Sequence, residues 1–236
     1  MIDLSVRSHE PEWMDADDVS DAEFAACMAD LATVNTLTLA RPPTLAFVAR
    51  LFAATPPDRP LTLVDVGYGA GDMLRAIRRM ARKRGRAIRL IGLDINPRSA
   101  PAATALTPDG MDIDYRTGDA FLIPVEEPID LIVSSLVTHH MDDAEIIAFL
   151  QWMEERARIG WFVNDLHRHW LPYHFFRAFS AAMRWHPFVR HDGPLSIARA
   201  FRRADWRGLL ERAGVADVAR VRWRFPFRYC VERVKP

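Results

Sequence analysis

The stretch LTLVDVGYGAGD, from Leu61 to Asp72, puts an acidic residue, Asp65, near the end of an apolar run and follows it with Gly67, Gly69 and Gly71. A buried strand that ends in such a turn and leads straight into a helix-like run, 72–84, lets the backbone approach a ligand closely, because glycine carries no Cβ. Asp94 closes a second apolar strand, IRLIGLD. A carboxylate roughly 20 residues beyond such glycines can grip the two hydroxyls of a ribose. The chemistry these residues support is the binding of a nucleoside-containing cofactor.

The glycine spacing decides which cofactor. A dinucleotide turn reads G-x-G-x-x-G and sets pyrophosphate on a helix N-terminus. Here the spacing is G-x-G-x-G, with Asp65 two residues before the first glycine and Asp72 directly after the last. Two carboxylates repel a pyrophosphate and attract a ligand that bears an ammonium and a sulfonium. S-adenosylmethionine fits that description better than a nicotinamide dinucleotide.

Methyl transfer from a sulfonium is a direct displacement. Holding nucleophile and methyl in line can be worth on the order of 10⁵ M in effective concentration. An oxygen nucleophile gains further from a base that titrates near neutrality, usually histidine. His167 is the favoured base, with His139 and His140 as alternatives; a carbon nucleophile on an electron-rich ring needs none. Any one of these histidines can instead serve as a structural hydrogen-bonding residue. His167 and His169 with Asp165 also form a conceivable metal-ligand set. Their spacing is permissive, no cysteine accompanies them, and no metal is expected. Around these histidines lie Trp170, Tyr173, Phe175, Phe176, Phe179 and Trp185, a wall suited to an apolar or aromatic small molecule. At helical spacing Phe175, Phe176 and Phe179 read as core instead. The segment 189–206 is polar and turn-rich; His191, Asp192, Ser196 and Arg199 either line the acceptor site or, at Ser196, cap the last helix.

The elements that must position these residues are legible from the pattern. A chain of 236 residues accommodates one sizeable α/β domain and is too short for two ordinary ones. The 31 basic residues balance 31 acidic ones, so no overall field favours nucleic acid or an anionic membrane. Residues 1–20 are acidic (Glu10, Glu12, Asp15, Asp17, Asp18) and unpatterned, which suggests a loose arm. Two helices follow, one carrying Phe24 to Leu37 and one over 44–53, so that 1–60 form an arm with cap helices ahead of a domain over 61–236. From Leu61 strands near 61–66, 88–94, 112–116, 129–135 and 159–164 alternate with helices near 71–84, 97–104 and 142–157. That alternation argues a doubly wound parallel sheet, with a helical, aromatic and histidine-rich insertion at 167–200. The last stretch, VARVRWRFPFRYCVERV, reads as two strands split near Pro226, with Arg220, Arg222 and Arg224 on one solvated face. Cys27 and Cys230 read as buried thiols in a reducing, cytoplasmic compartment; no leader opens the chain and no apolar run is long enough to span a bilayer.

Four segments in order, DVGYGAGD, LIGLDINP, YRTGDAFLIP and IDLIVSSLVTHH, resemble the class I S-adenosylmethionine-dependent methyltransferases. The resemblance runs from about Leu61 to the C-terminus. It implies a Rossmann-like, mainly parallel seven-stranded sheet with a C-terminal antiparallel hairpin. It also implies that Asp65, Gly67, Gly69 and Gly71 surround the cofactor and that Asp94 holds its ribose. Ile95 then lies against adenine, Asp119 contacts adenine with Ala120 beside it, and Ser135 lies near the cofactor at the fourth strand's end. Tyr68 stands where the family more often has a small residue; it either covers the methionine end of the cofactor or packs outward. Within the family the chain is most similar to bacterial enzymes of the ubiquinone-biosynthesis type and to small-molecule enzymes of secondary metabolism. VNDLHRHWLPYH and HPFVRHDGP resemble a subgroup associated with type III polyketide pathways. The implied acceptor is a small phenolic or quinone-like molecule; separately, the Trp- and Phe-rich insertion offers a surface for a homodimer. Two other readings stand beside it: a methyltransferase acting on RNA or protein, and a non-catalytic partner that keeps the fold.

Overall fold

Four of the strands are near-continuous apolar runs, as strands covered on both faces must be. In a computed structural model, which describes residues 2–15 and 19–236, they form the centre of a seven-stranded sheet. Two helices come first, α1 (Asp21–Leu37) and α2 (Pro42–Ala54). Then follow β1 (Leu61–Val66), α3 (Asp72–Lys83), β2 (Ile88–Asp94), α4 (Ser99–Ala105), β3 (Ile113–Thr117), β4 (Ile129–Ser135), α5 (Asp143–Arg156) and β5 (Ala157–Leu166). The insertion folds as α6 (Trp170–Ala182) and α7 (Pro187–Arg199), before α8 (Arg203–Arg212), β6 (Arg220–Arg224) and β7 (Arg228–Val234).

The strand order is β3-β2-β1-β4-β5-β7-β6. All the neighbouring pairs among β1 to β5 are parallel, and β7 runs antiparallel to both β5 and β6. The chain therefore leaves β1 toward one edge and returns at β4 toward the other. The crevice between those two strands is where open α/β sheets bind ligands. One sheet face, carrying Leu63, Leu90, Val133, Phe162 and Cys230, packs against α2 and α3. The other, carrying Val64, Ile91, Ile132, Trp161 and Val231, packs against α5 and α8. Each fully buried large side chain contributes about 1.5–3 kcal/mol, so these two layers fix the sheet to which the site is attached.

Three sequence expectations are corrected here. The arm is not loose: Arg7 donates to the carbonyls of Arg199 and Met141, both at 2.9 Å, and the Ser8 N–H donates to Ala198 O at 3.1 Å. Glu12 is buried and accepts a hydrogen bond from Ser196 Oγ at 2.8 Å. Such polar anchors have no sequence period, so nothing in the pattern reveals them; Asp17 and Asp18, part of the same acidic run, lie outside the described residues. The turn-rich segment after Val189 is largely helical, with Pro194 inside α7 and Asp192 accepting from the N–H groups of Trp13 and Met14 at 2.9 and 3.0 Å. Gly193 faces the ring of Phe176, and a Cβ there would collide with it; its absence lets α6 and α7 pack closely. Ser196 consequently lies within α7 and does not cap α8, whose first turn is closed by Asp205 accepting from the Arg202 N–H at 2.6 Å. Among the expected core aromatics Phe176 is buried, Phe179 partly so, and Phe175 is exposed.

Candidate active site

The turn after β1 explains its own glycines. Gly67 and Gly71 both sit at φ 72°, in the left-handed region that residues with a Cβ avoid. A Cβ at Gly67 would strike Val137, and one at Gly71 would strike Tyr115. The turn stays tight through the Gly71 N–H, which donates to Tyr68 O at 2.8 Å. Tyr68 lines the cavity and does not pack outward. Its ring is buried against Gly92 and Leu74 on the α3 face, 5.0 Å from the ring of Tyr115. Burial, then Asp94 and Tyr115, raise its phenol well above the ordinary range.

Three carboxylates converge on this turn. Asp94 accepts from the Gly69 N–H and the Asn96 N–H, both at 2.9 Å. The Ser99 hydroxyl also bonds this carboxylate, which with about four acceptor positions keeps room for a ribose hydroxyl. Asp65 is 2 % exposed, and its Oδ2 has no hydrogen-bond partner among the described residues. Burial first, then Asp72 and Asp94, push its carboxyl well above the usual carboxylate range. Burial likewise raises Asp72, against the opposing pull of Arg41 and Arg75, and raises Asp94. A buried acceptor without a donor, inside a cluster of acids, fits a cation. The residues therefore suit the ammonium and sulfonium of S-adenosylmethionine. Along the crevice Ile95 is 78 % exposed, a bare apolar platform. Asp119 is exposed and accepts from the Phe121 N–H at 2.9 Å, Ala120 is buried beside it, and Ser135 Oγ lies 3.1 Å from Thr44 Oγ1 of α2.

Beyond β4 the backbone turns at Leu136, whose φ of 63° costs a residue with a Cβ about 1–2 kcal/mol. That turn delivers the 3₁₀ segment Thr138–His140 to the end of β5. His139 is buried, and its Nδ1 lies 2.7 Å from Asp165 Oδ1. The other oxygen of Asp165 accepts from Thr138 Oγ1 and from the His139 N–H. Burial alone would raise Asp165, but His139, Thr138 and the Leu166 N–H hold it at about 2. With Asp165 ionised, Nδ1 of His139 carries a proton toward it, and in the neutral ring Nε2 then keeps its lone pair. That nitrogen lies 3.8 Å from Glu12 Oε1, and His140 Nε2 lies 3.8 Å from Glu12 Oε2. Arg199 steadies the turn from behind, donating to His139 O at 3.0 Å and His140 O at 3.1 Å.

His167 is placed differently. Its ring packs edge-on against Tyr229 at 4.7 Å and over Phe227 at 5.9 Å, and its Nδ1 has no hydrogen-bond partner among the described residues. Burial, then His169 and the nearby Arg202 and Arg168, lower it to about 4. Asp165 turns to His139, so the grouping of His167, His169 and Asp165 does not assemble. Among the described residues Glu12, His139 and His140 alone bring three ligand-type atoms within 4.8 Å. Arg199 Nε, 3.9 Å from Glu12 Oε1, sets a fixed positive charge there that opposes a dication. Sequence reasoning missed Glu12 and the pairing of Asp165 with His139; the carboxylate at the end of β5, 26 residues beyond His139, gave the signal that was there.

Both groups open into one cavity of about 1540 Å³. It runs from Asp65 and Asp94 past Ser135 and His139 to Phe175 and Arg228. A single small-ligand site typically occupies roughly 300–1,000 Å³, so there is room for a cofactor and an acceptor side by side. Among the described residues no helix is long and apolar enough to cross a membrane.

Comparison with known proteins agrees with this geometry. Residues 63–160, from β1 into β5, match the family described as a methyltransferase domain. No curated protein matches the chain by sequence. Among solved structures, the plantazolicin methyltransferase in complex with a monoazolic desmethylPZN analogue and S-adenosylhomocysteine superposes with a TM-score of 0.64 at 11% identity, covering 91% of this chain and 95% of that one. A methyltransferase from Aquifex aeolicus gives 0.60 at 16% identity, covering 92% and 98%. The magnesium protoporphyrin IX methyltransferase of Synechocystis PCC 6803, with S-adenosylmethionine bound, gives 0.53 at 15% identity, covering 84% and 81%. At such identities the likeness to these structures is one of fold. The match over residues 63–160 is to a methyltransferase domain, and that part of the chain carries the sheet centre and the acidic glycine turn.

Proposed function

We propose that the protein methylates an oxygen of a small, largely apolar acceptor, with His139 as the general base. The observation that carries this reading is the buried His139–Asp165 pair, 2.7 Å apart, at the wall of the cavity that also holds Asp65 and Asp94. S-adenosylmethionine, when bound, supplies an electrophilic methyl group on its sulfonium. Asp94 holds the ribose hydroxyls, Asp65 receives the ammonium, Ile95 and Ala120 flank the adenine, and Asp119 accepts from its amino group. The glycine turn allows that approach. Nε2 of His139 takes the acceptor's hydroxyl proton as the oxygen attacks. The resulting imidazolium lies between the carboxylates of Asp165 and Glu12, which stabilise it more than they stabilise the neutral ring. His167, neutral at pH 7, packs the far wall.

The apolar side chains beyond β5, Leu171, Phe175, Phe179 and Phe227 among them, suit a phenolic or quinone-like acceptor of the polyketide kind, in line with the resemblance to ubiquinone-type enzymes. The balanced charge speaks against an RNA acceptor, and the exposed Trp170 and Phe175 offer a surface for a homodimer. The test begins with calorimetric titration of S-adenosylhomocysteine, with NADH as control, and continues with labelled S-adenosylmethionine across phenolic acceptors. Micromolar binding of the first ligand alone and transfer to a phenol are expected. His139→Gln should lower turnover about 10²-fold or more with cofactor affinity intact, and His167→Gln only severalfold. Equal losses in both variants, or a loss confined to His167→Gln, would remove His139 as the base.

A further inference from the structure

One buried arginine of this cavity, Arg228, keeps two nitrogens without an acceptor among the described residues. Arg228 opens β7, paired with Leu166, and shares a sheet face with Cys230 and Glu232. Farther along that face Glu232 accepts from Arg50 and Arg222, both at 2.8 Å, and Cys230 lies 3.6 Å from Asn164 Oδ1. Arg228 is the member of the row nearest the strand ends, where it lines the cavity. It is 2 % exposed, yet only its Nη2 is engaged, donating to Thr38 Oγ1 at 3.2 Å. Nε and Nη1 have no acceptor among the described residues. Asp165 attracts it electrostatically, but both oxygens of Asp165 are committed to His139, Thr138 and Leu166. The other buried arginines are anchored. Arg168 has Asp205 at 3.0 Å and Leu4 O at 3.1 Å, Arg199 holds two carbonyls and Arg86 three oxygens.

A buried guanidinium with two bare nitrogens is costly unless something completes it. Placement rules on what that is. Along the strand order Arg228 stands three strands from β1, roughly 14 Å at about 4.8 Å per strand, on the side away from Asp94. That is the acceptor's end of the cavity, among Phe225, Phe227 and Phe175. We propose that Arg228 binds an anionic group on the methyl acceptor, a carboxylate or an equivalent two-oxygen anion carried on an otherwise apolar aromatic body. The proposal rests on the methyltransferase reading of the same cavity.

The test is calorimetry on the full chain saturated with S-adenosylhomocysteine, using 2-naphthoate and 2-naphthamide, which share a shape and differ in charge. Wild type should bind the carboxylate at least about tenfold more tightly than the amide. Arg228→Met should abolish that preference while S-adenosylhomocysteine affinity stays the same and the melting temperature is unchanged or higher. Arg228→Lys should keep part of the preference. Equal affinity of the two probes for wild type, or no binding of the carboxylate at about 1 mM, would overturn the proposal without recourse to a variant. A preference that survives in Arg228→Met would overturn it too. A fall in S-adenosylhomocysteine affinity in that variant would give the guanidinium to the cofactor's carboxylate instead. Failure of wild type to bind S-adenosylhomocysteine at all would strike the methyltransferase reading, a separate result.

Discussion

Asp65 shows at the scale of one residue how function is stored as local instability. Its Oδ2 lacks a donor, and burial and neighbouring acids oppose its charge. Asp65→Asn should raise the melting temperature of the cofactor-free protein by roughly 2–4 °C, about 1 kcal/mol for a chain of this size. The same change should weaken S-adenosylhomocysteine binding tenfold or more, read by calorimetry. Asp94→Ala should match that loss of affinity, because two hydroxyl contacts disappear. Asp165 behaves in the opposite sense. Its folded pKa of about 2 lies below the ordinary value near 3.9, so its contribution is fully present above that value and is lost as pH falls through about 2. Urea unfolding from pH 5 downward should show a loss on the order of 2 kcal/mol that Asp165→Asn lacks.

Among the elements, the N-terminal arm makes the largest difference to the site. It carries Glu12 to His139 and His140 and is pinned by Arg7 to the carbonyls after β4 and α7. Glu12→Gln should lower kcat about tenfold and leave S-adenosylhomocysteine affinity unchanged, since among the described residues Glu12 bonds or pairs with Ser196, His139, His140 and Arg199 and with no carboxylate of the glycine turn. Arg7→Ala should cost about 1–2 kcal/mol, seen as a lower melting temperature, because it leaves two carbonyls without their donor. The close approach of α6 and α7 at Gly193 likewise fixes part of the cavity wall, since a Cβ there would meet Phe176.

The whole molecule divides its cavity by charge. Carboxylates gather at the β1–β2 end, an acid–base pair stands at the β4–β5 junction, and a bare guanidinium lies at β7. If the two proposals hold, a cationic cofactor and an anionic acceptor are drawn to opposite ends, with His139 between them in strand order. Electrostatics of this kind orient two ligands without a metal bridging them. Dialysis against EDTA should leave turnover within about twofold of the untreated protein. A loss restored by a dication would turn Glu12, His139 and His140 into a metal centre.

The sequence by itself determined the sheet, the glycine turn and the nature of the cofactor. Those features rest on local rules, continuous apolar runs for buried strands and glycine where φ is positive, and β1, β2 and β4 lie within a residue of their expected bounds. Only the tertiary structure decided which histidine meets a carboxylate. His139 and His167 look alike in sequence, but the ends of β4 and β5 lie side by side, so Asp165 reaches His139 while His167 turns onto Tyr229. Glu12, Asp192 and Arg228 were illegible for the same reason. Each gains its role from a partner, or from the want of one, more than a hundred residues away along the chain, and such pairings leave no period in the sequence.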